Sequence, residues 1–230
     1  YGPSGDHWLG SDQDARDMLS RTIYGARVSL VVGFSAVAFG FTIGGTIGLV
    51  SGFVRGMFDK ITSFIMLVLL SFPALILAIL ITSLMERSLL TIALTLGILS
   101  VAPVGRLARS ASLVFSEREF VLAARTMGAK PSHIMLRELL PNVLIPMSAL
   151  ALLGTAVAIV AEGGLAFLGL SVEKGSTWGK LILTGAQTRQ LEEAPWIAFV
   201  PITALFLTVM ALNFAGDRLR EYFDVRELAL

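Results

Sequence analysis

The charged residues of this chain are gathered into short stretches that separate long charge-free ones. Five charge-free runs follow one another: 28–54 lies between Arg27 and Arg55, 61–85 between Lys60 and Glu86, 88–105 between Arg87 and Arg106, 139–161 between Glu138 and Glu162, and 194–216 between Glu193 and Asp217. An α-helix rises about 1.5 Å per residue, so about 20 apolar residues cross a hydrocarbon layer about 30 Å thick. Four runs clear that length. The third reaches it if the arginines at its ends extend their side chains to the interface. Five runs this apolar cannot all be buried in a soluble chain of 230 residues. The pattern predicts an all-α, polytopic transmembrane helical bundle with five spans.

Gly and Pro recur inside the runs: Gly33, Gly40, Gly44, Gly45 and Gly48 in the first, Pro73 in the second, Gly97 and Pro103 in the third, Pro146 and Gly154 in the fourth, and Pro201 in the fifth. In a membrane bundle small residues let helices approach closely, and neighbouring helices satisfy the backbone groups that Pro frees. Packing is therefore their expected role. Five spans put the chain ends on opposite sides. Of the 18 Lys and Arg residues, eleven fall in 55–60, 106–138 and the tail from Asp217, and seven, Lys174 among them, fall elsewhere. The excess of positive charge assigns the first set to the cytoplasm. Tyr1 is then outside and the C-terminal tail inside. Trp8, Trp178 and Trp196 fall on the outer side, where aromatic belts form.

Between the third and fourth runs stands "EFVLAARTMGAKPSHIMLRELLPN", residues 119–142. Its five charges, Glu119, Arg125, Lys130, Arg137 and Glu138, would make membrane insertion cost on the order of 12–17 kcal/mol. Phe120, Val121, Ala124 and Met127 recur at helical spacing and make one apolar face. Gly128 suits a helix C-terminal cap and Pro131 the first turn of a second helix. Ile134, Met135, Leu139 and Leu140 form another apolar face, and Pro141 sits near the return to the membrane. The block reads as helix, Gly turn, helix, with a polar surface and an apolar underside. From the pattern alone, two roles stay open: a loop lying on the lipid surface, or a docking element.

Composition agrees with the membrane reading. Hydrophobic residues make up 55% and charged residues 15% of the chain, where soluble domains hold about 25% charged residues. A net charge of +1 gives no electrostatic case for nucleic acid. Cysteine is absent, which excludes disulfides and thiolate chemistry. The chain starts at Tyr1 rather than Met, and a further span upstream is expected. "KGSTWGKL" is not a phosphate-binding loop: Gly175 is one residue too close to Gly179 and Lys180, and Leu181 replaces the needed Ser or Thr. The histidines, His7 and His133, are far apart in sequence, and no metal site is expected. Glu162 stands at the outer end of the fourth run, where it either ends the helix at the interface or lies within the span as a functional group. Asp12, Asp14, Arg16 and Asp17 form an outer charged cluster, either a salt-bridged loop or a surface for a delivering protein.

A resemblance narrows these readings. Glu119, Ala123, Ala124 and Gly128, then Ile134, Arg137, Leu140, Pro141 and Asn142, resemble the cytoplasmic loop of ABC-importer permeases, E-x-x-x-A-A-x-x-x-G followed by L-P-N. "HWLGSDQDARDMLSRTIYGARVSL" (7–30) is similar to the leading segment of the dipeptide, oligopeptide and nickel permeases. "SFPALILAI" (71–79), "EGGLAFLGLSV" (162–172), "TWGKLI" (177–182) and "NFAGDRLREYFDVR" (213–226) resemble further segments of the same group, in its C-type subunit. Four positions depart from the pattern. Ala15 stands for the Gly of G-R-D. Gly52-Phe53-Val54-Arg55-Gly56 replaces G-Y-x-G-G. Glu138 follows Arg137 where His is frequent, and Asp224-Val225-Arg226 replaces D-P-R.

The resemblance implies the fold of a type I ABC importer permease, with a sixth span upstream. It divides the chain into an extracytoplasmic leading segment (1–27), a membrane domain (28–217) with a cytoplasmic coupling loop (106–138), and a cytoplasmic tail (218–230). It implies a non-catalytic subunit of a bacterial inner-membrane importer for peptides, with nickel as the competing cargo. Implied partners are a second permease in a heterodimer, two ATP-binding subunits that hold ATP and Mg, an extracytoplasmic substrate-binding protein, and membrane lipid. No cofactor is expected in this chain. Glu119, Ala123, Ala124, Gly128 and Arg137 are the implied coupling residues; Glu162 and Phe167 are candidates for the translocation path or outer gate. The reading from another class, a secondary transporter or intramembrane enzyme, needs paired ionisable groups at mid-span. The five runs hold none.

Overall fold

The computed structural model describes residues 2–5, 7–173 and 175–227, with side chains as far as Phe223. Tyr1, Lys174 and the side chains of Asp224, Val225 and Arg226 lie outside the described residues. Four charge-poor segments form long unbroken helices: α1 (Met18–Val54), α4 (Leu89–Phe115), α6 (Pro131–Phe167) and α9 (Trp196–Glu227). Each extends beyond its charge-free run, because terminal cations stay helical. Arg21 and Arg27 lie in α1, and Arg106 and Arg109 in α4. The marginal third run thereby becomes a helix of 27 residues.

The second run is not one helix. It divides into α2 (Gly56–Ser71) and α3 (Ala74–Leu84), bent by 85° at Phe72 and Pro73. Phe72 is extended (φ −83°, ψ 135°), as the ring of a following proline demands, and Pro73 brings no N–H to continue the ladder. The described helices therefore include four that are each long and apolar enough to cross a membrane, and the spans number five if α2 and α3 together make one. Pro103, Pro146 and Pro201 stay inside continuous helices, so proline lowers the cost of a break without dictating one. Short helices complete the order: α5 (Glu119–Thr126) precedes α6, and α7 (Trp178–Gly185) and α8 (Thr188–Glu193) precede α9.

The chain divides into two compact units. The first comprises 1–36, 78–96 and 155–213. There Gly33 faces Ile159, Gly179 packs on Gly163 and Ala166, and Gly185 packs on the backbone of Ile197 and Ala198. Trp178 is buried and its Nε1 donates to the carbonyl of Thr22 at 2.9 Å; Trp196 Nε1 donates to that of Ser11 at 3.0 Å. The first indole thus holds α7 to α1 and the second holds the leading loop to α9, and among the three tryptophans Trp8 is the exposed one.

The second unit comprises 37–77, 97–154 and 214–230. Its frame is a ridge of glycines four residues apart on α1, namely Gly40, Gly44, Gly48 and Gly52, which lies directly on α4. A Cβ at Gly52 would fall 2.7 Å from both the Arg109 carbonyl and the Ser112 Cβ. One at Gly48 would fall 2.9 Å from the Ala108 Cβ and collide with the Gly105 carbonyl. Small residues at this spacing bring two helix backbones together. The buried Ser112 hydroxyl then reaches across to the Leu49 carbonyl at 2.8 Å. Leu49, Ala108, Leu139, Val143 and Met147 form the adjoining core.

Candidate functional site

The block 119–142 folds as its turn residues dictate. Helix α5 ends in a left-handed Gly128 (φ 80°), where any other residue would be strained. The Gly128 N–H donates to the Arg125 carbonyl and the Ala129 N–H to that of Ala124, each at 3.0 Å. This pair of bonds closes a Schellman cap and satisfies carbonyls that the helix end would leave free. Lys130 is extended ahead of Pro131, which opens the next helix. That second helix is not a separate piece. It passes through a π-helical turn, Ile134–Leu139, straight into α6.

The apolar underside is narrower than the sequence suggests. Val121, Ala124 and Ile134 are buried together against Phe53 and Ala129. Phe120 points partly outward, and Met127 is 80% exposed beside the turn. Phe53, from the end of α1, is the residue that sequence reasoning missed. The Arg125 guanidinium lies over its ring, 5.7 Å from the centroid. The signal was its place at the aromatic position of the G-Y-x-G-G pattern. Glu119, Ala123, Gly128 and Arg137 are exposed on the block, whereas Ala124 is part of its seat. Lys130, His133 and Arg137 line a positively charged concavity beside the Gly turn.

A second cluster in the same unit was not visible in the sequence. Asp59, in the first turn of α2, accepts two bonds from Arg109 of α4: Nε to Oδ1 at 2.5 Å and Nη2 to Oδ2 at 2.7 Å. The fully buried Ser51 hydroxyl donates to Asp59 Oδ1 at 2.6 Å. By contrast, Arg55 and Glu117 pair at 2.9 Å on the surface.

In the first unit Glu162 does not end its helix; α6 continues to Phe167. Glu162 is 1% exposed, and hydroxyl groups take up its carboxylate. Oε1 accepts from Ser171 at 2.9 Å and Oε2 from Ser29 at 3.4 Å, while the Trp178 N–H donates to Ser29 Oγ at 3.2 Å. A buried carboxylate is tolerated only where such partners exist. Phe167 is 52% exposed. The two gate candidates thus lie on one helix but face differently.

The outer charged residues form an ordered loop. Asp12 is buried, accepts from the N–H groups of Asp14 and Arg16 at 2.9 and 2.8 Å, and pairs with Arg21. Arg21 also donates to Ser176 Oγ at 3.2 Å. Asp17 caps α1 by accepting the Ser20 N–H at 2.8 Å, and it faces His7 Nδ1 at 3.3 Å. The Ser20 N–H above all, then the Ser20 hydroxyl and His7, hold the Asp17 carboxyl below its ordinary range.

Four to five helices long and apolar enough to cross a membrane, with a charged, capped helix–Gly–helix block set between two of them, define a polytopic helical membrane protein. The chain belongs to the family described as binding-protein-dependent transport system inner membrane component, whose profile matches residues 44–227, and is thus an ABC-importer permease. Among its relatives, the dipeptide transport system permease protein DppC of Alkalihalophilus pseudofirmus is 38% identical over 97% of this chain and 73% of its own length. The glutathione transport system permease protein GsiD of Pectobacterium atrosepticum is 34% identical over 97% and 74%. The oligopeptide transport system permease protein OppC of Haemophilus influenzae is 35% identical over 97% and 71%. In fold the chain is similar to a chain of the inward-facing MetNI methionine ABC transporter, with a TM-score of 0.71, 22% identity, and coverage of 89% of this chain and 97% of that one. Membership makes it a transport subunit that works with ATP-binding and substrate-binding partner proteins.

Proposed function

We propose that this chain is the membrane subunit of an ATP-driven importer of di- or oligopeptides, paired with a second permease and served by two ATPase subunits and an extracytoplasmic binding protein. The peptide cargo is supported by relatives named for dipeptide, oligopeptide and glutathione transport that match nearly the whole chain. The segment 1–27 is extracytoplasmic, 28–217 is the membrane domain, and the coupling loop 106–138 and the tail 218–230 face the cytoplasm. The observation that carries the coupling role is the capped turn at Gly128 on a seat of Val121, Ala124, Ile134 and Phe53. Glu119, Ala123, Gly128 and Arg137 meet the ATPase, and Ala124 keeps the seat low. Closure of the ATPases pushes on this block and biases the membrane helices between outward and inward access. Phe167 serves the outer gate, and Glu162 holds its surroundings from beneath.

The test is reconstitution of the complete transporter in lipid vesicles, with uptake of labelled dipeptide, oligopeptide and nickel measured beside ATP hydrolysis. Gly128→Val is expected to assemble and hydrolyse ATP while losing uptake. Undiminished uptake in that variant sinks the coupling role. Nickel uptake without peptide uptake sinks the cargo.

A further inference from the structure

The coupling block rests on Phe53, at the C-terminal end of α1. Two residues earlier, Ser51 is fully buried and donates to Asp59 of α2. Asp59 in turn holds Arg109 of α4 through both Nε and Nη2 of the guanidinium. Arg109 also meets α1 through its backbone, since its carbonyl lies where a Cβ at Gly52 would stand, 2.7 Å away. One residue therefore fixes α4 to α1 through the main chain and to α2 through the side chain. The side chain of Asp59 is 14% exposed and that of Arg109 32%, so the pair is partly shielded from water. A paired fork of this kind fixes direction as well as distance. The sequence link between α1 and α2 is Arg55 alone, at φ 60°. Beside that link, the Asp59 cluster ties the two helices' ends together, and Ser51 Oγ also lies 2.8 Å from Thr62 Oγ1 of α2.

We infer that Ser51, Asp59 and Arg109 form a positioning clamp that makes α1, α2 and α4 respond together to a push delivered at Phe53. The inference rests on the coupling role of 119–142 argued above. The clamp touches neither cargo nor the ATPase; it decides whether displacement of the block reaches α2 or is lost between the helix ends. A lysine at position 109 keeps the charge but makes a single-point contact, which leaves the helices free to rotate about it.

The experiment compares Arg109→Lys, Asp59→Asn and Gly128→Val in the reconstituted complete transporter, reading subunit assembly, ATP hydrolysis and peptide molecules imported per ATP. Arg109→Lys is expected to assemble and hydrolyse ATP while import per ATP falls roughly 2- to 30-fold, the range over which a coupling element acts. If Gly128→Val uncouples and Arg109→Lys imports at the normal ratio, the clamp is overturned and the coupling block stands. If neither uncouples, the coupling reading falls and the clamp with it. Should Arg109→Lys fail to assemble, Asp59→Asn is read by the same ratio. Failure of both to assemble overturns the clamp in favour of a folding requirement.

Discussion

The Arg125 guanidinium stands over the Phe53 ring at 5.7 Å, so the helix–Gly–helix block is tied by a cation–π contact to the end of the first long helix. Phe53 also packs on the core around Leu49, Ala108 and Leu139. Phe53→Ala removes the seat and should destabilise the second unit by about 2 kcal/mol, less than a fully buried Phe because the ring is only half buried. The cation–π contact adds about 0.5–1 kcal/mol. Import per ATP should fall sharply in this variant, while Phe53→Tyr should retain both thermal stability and import. Equal loss in the Tyr variant would show that ring stacking is not what matters.

The ridge of glycines on α1 leaves no room for side chains. Gly48→Ala places a methyl against the Gly105 carbonyl and the Ala108 Cβ, and overpacking of this kind costs about 1–3 kcal/mol. Gly164→Ala, in α6, meets nothing within 4 Å and should be neutral or slightly stabilising. Melting of the purified complex checks the contrast. Equal melting of the two variants would mean that α1 and α4 can part at little cost.

What the sequence disclosed was local, and what it concealed was tertiary. Gly128 and Pro131 were legible because a left-handed cap and a first-turn proline are chosen within a few residues of chain. The long helices were legible from charge-free length, although their ends were set too short, since arginines such as Arg106 and Arg109 remain helical, Arg109 paired with Asp59. Asp59 and Arg109, at a separation of 50 residues, carried no shared pattern. Pro73 broke its helix while Pro103, Pro146 and Pro201 did not, because the cost of a break depends on what surrounds the freed backbone. For Glu162 the sequence left two readings, a helix end or a group within the span; the hydroxyls of Ser29 and Ser171 that let it stay buried come from elsewhere in the chain.

The cap at Asp17 makes the leading segment sensitive to acid. Its folded carboxyl titrates below the ordinary value of 3.8, so its contribution is present above that value and is lost as pH falls through the lower folded value. Protease cleavage of the segment should accelerate as pH drops below about 4. In Asp17→Asn the acceleration should shrink, with faster cleavage already at neutral pH. An unchanged pH profile in that variant would assign the effect to another group.

Two departures from the permease pattern fall where the backbone is strained. Ala15 stands for the Gly of G-R-D and adopts φ 57°; Arg55 stands for the first glycine of the G-G pair and adopts φ 60°, ψ −156°. A left-handed Ala costs about 1–2 kcal/mol, and a Gly in its place gives back about 0.5–1 kcal/mol through the freer unfolded chain. Ala15→Gly should therefore stabilise the leading segment by about 0.5 kcal/mol, read as slower proteolysis there. Arg55 occupies a region that glycine alone tolerates, at about 1–3 kcal/mol. Its ion pair with Glu117 is exposed on both sides and offsets at most about 1 kcal/mol of that. Arg55→Gly should raise the melting temperature of the complex, because the relieved strain exceeds the lost pair. The same variant widens the conformational range of the link between α1 and α2, so import per ATP should stay level only if the Asp59 clamp holds the two helices. A lowered melting temperature would mean that the Arg55 side chain does more for the fold than its backbone costs.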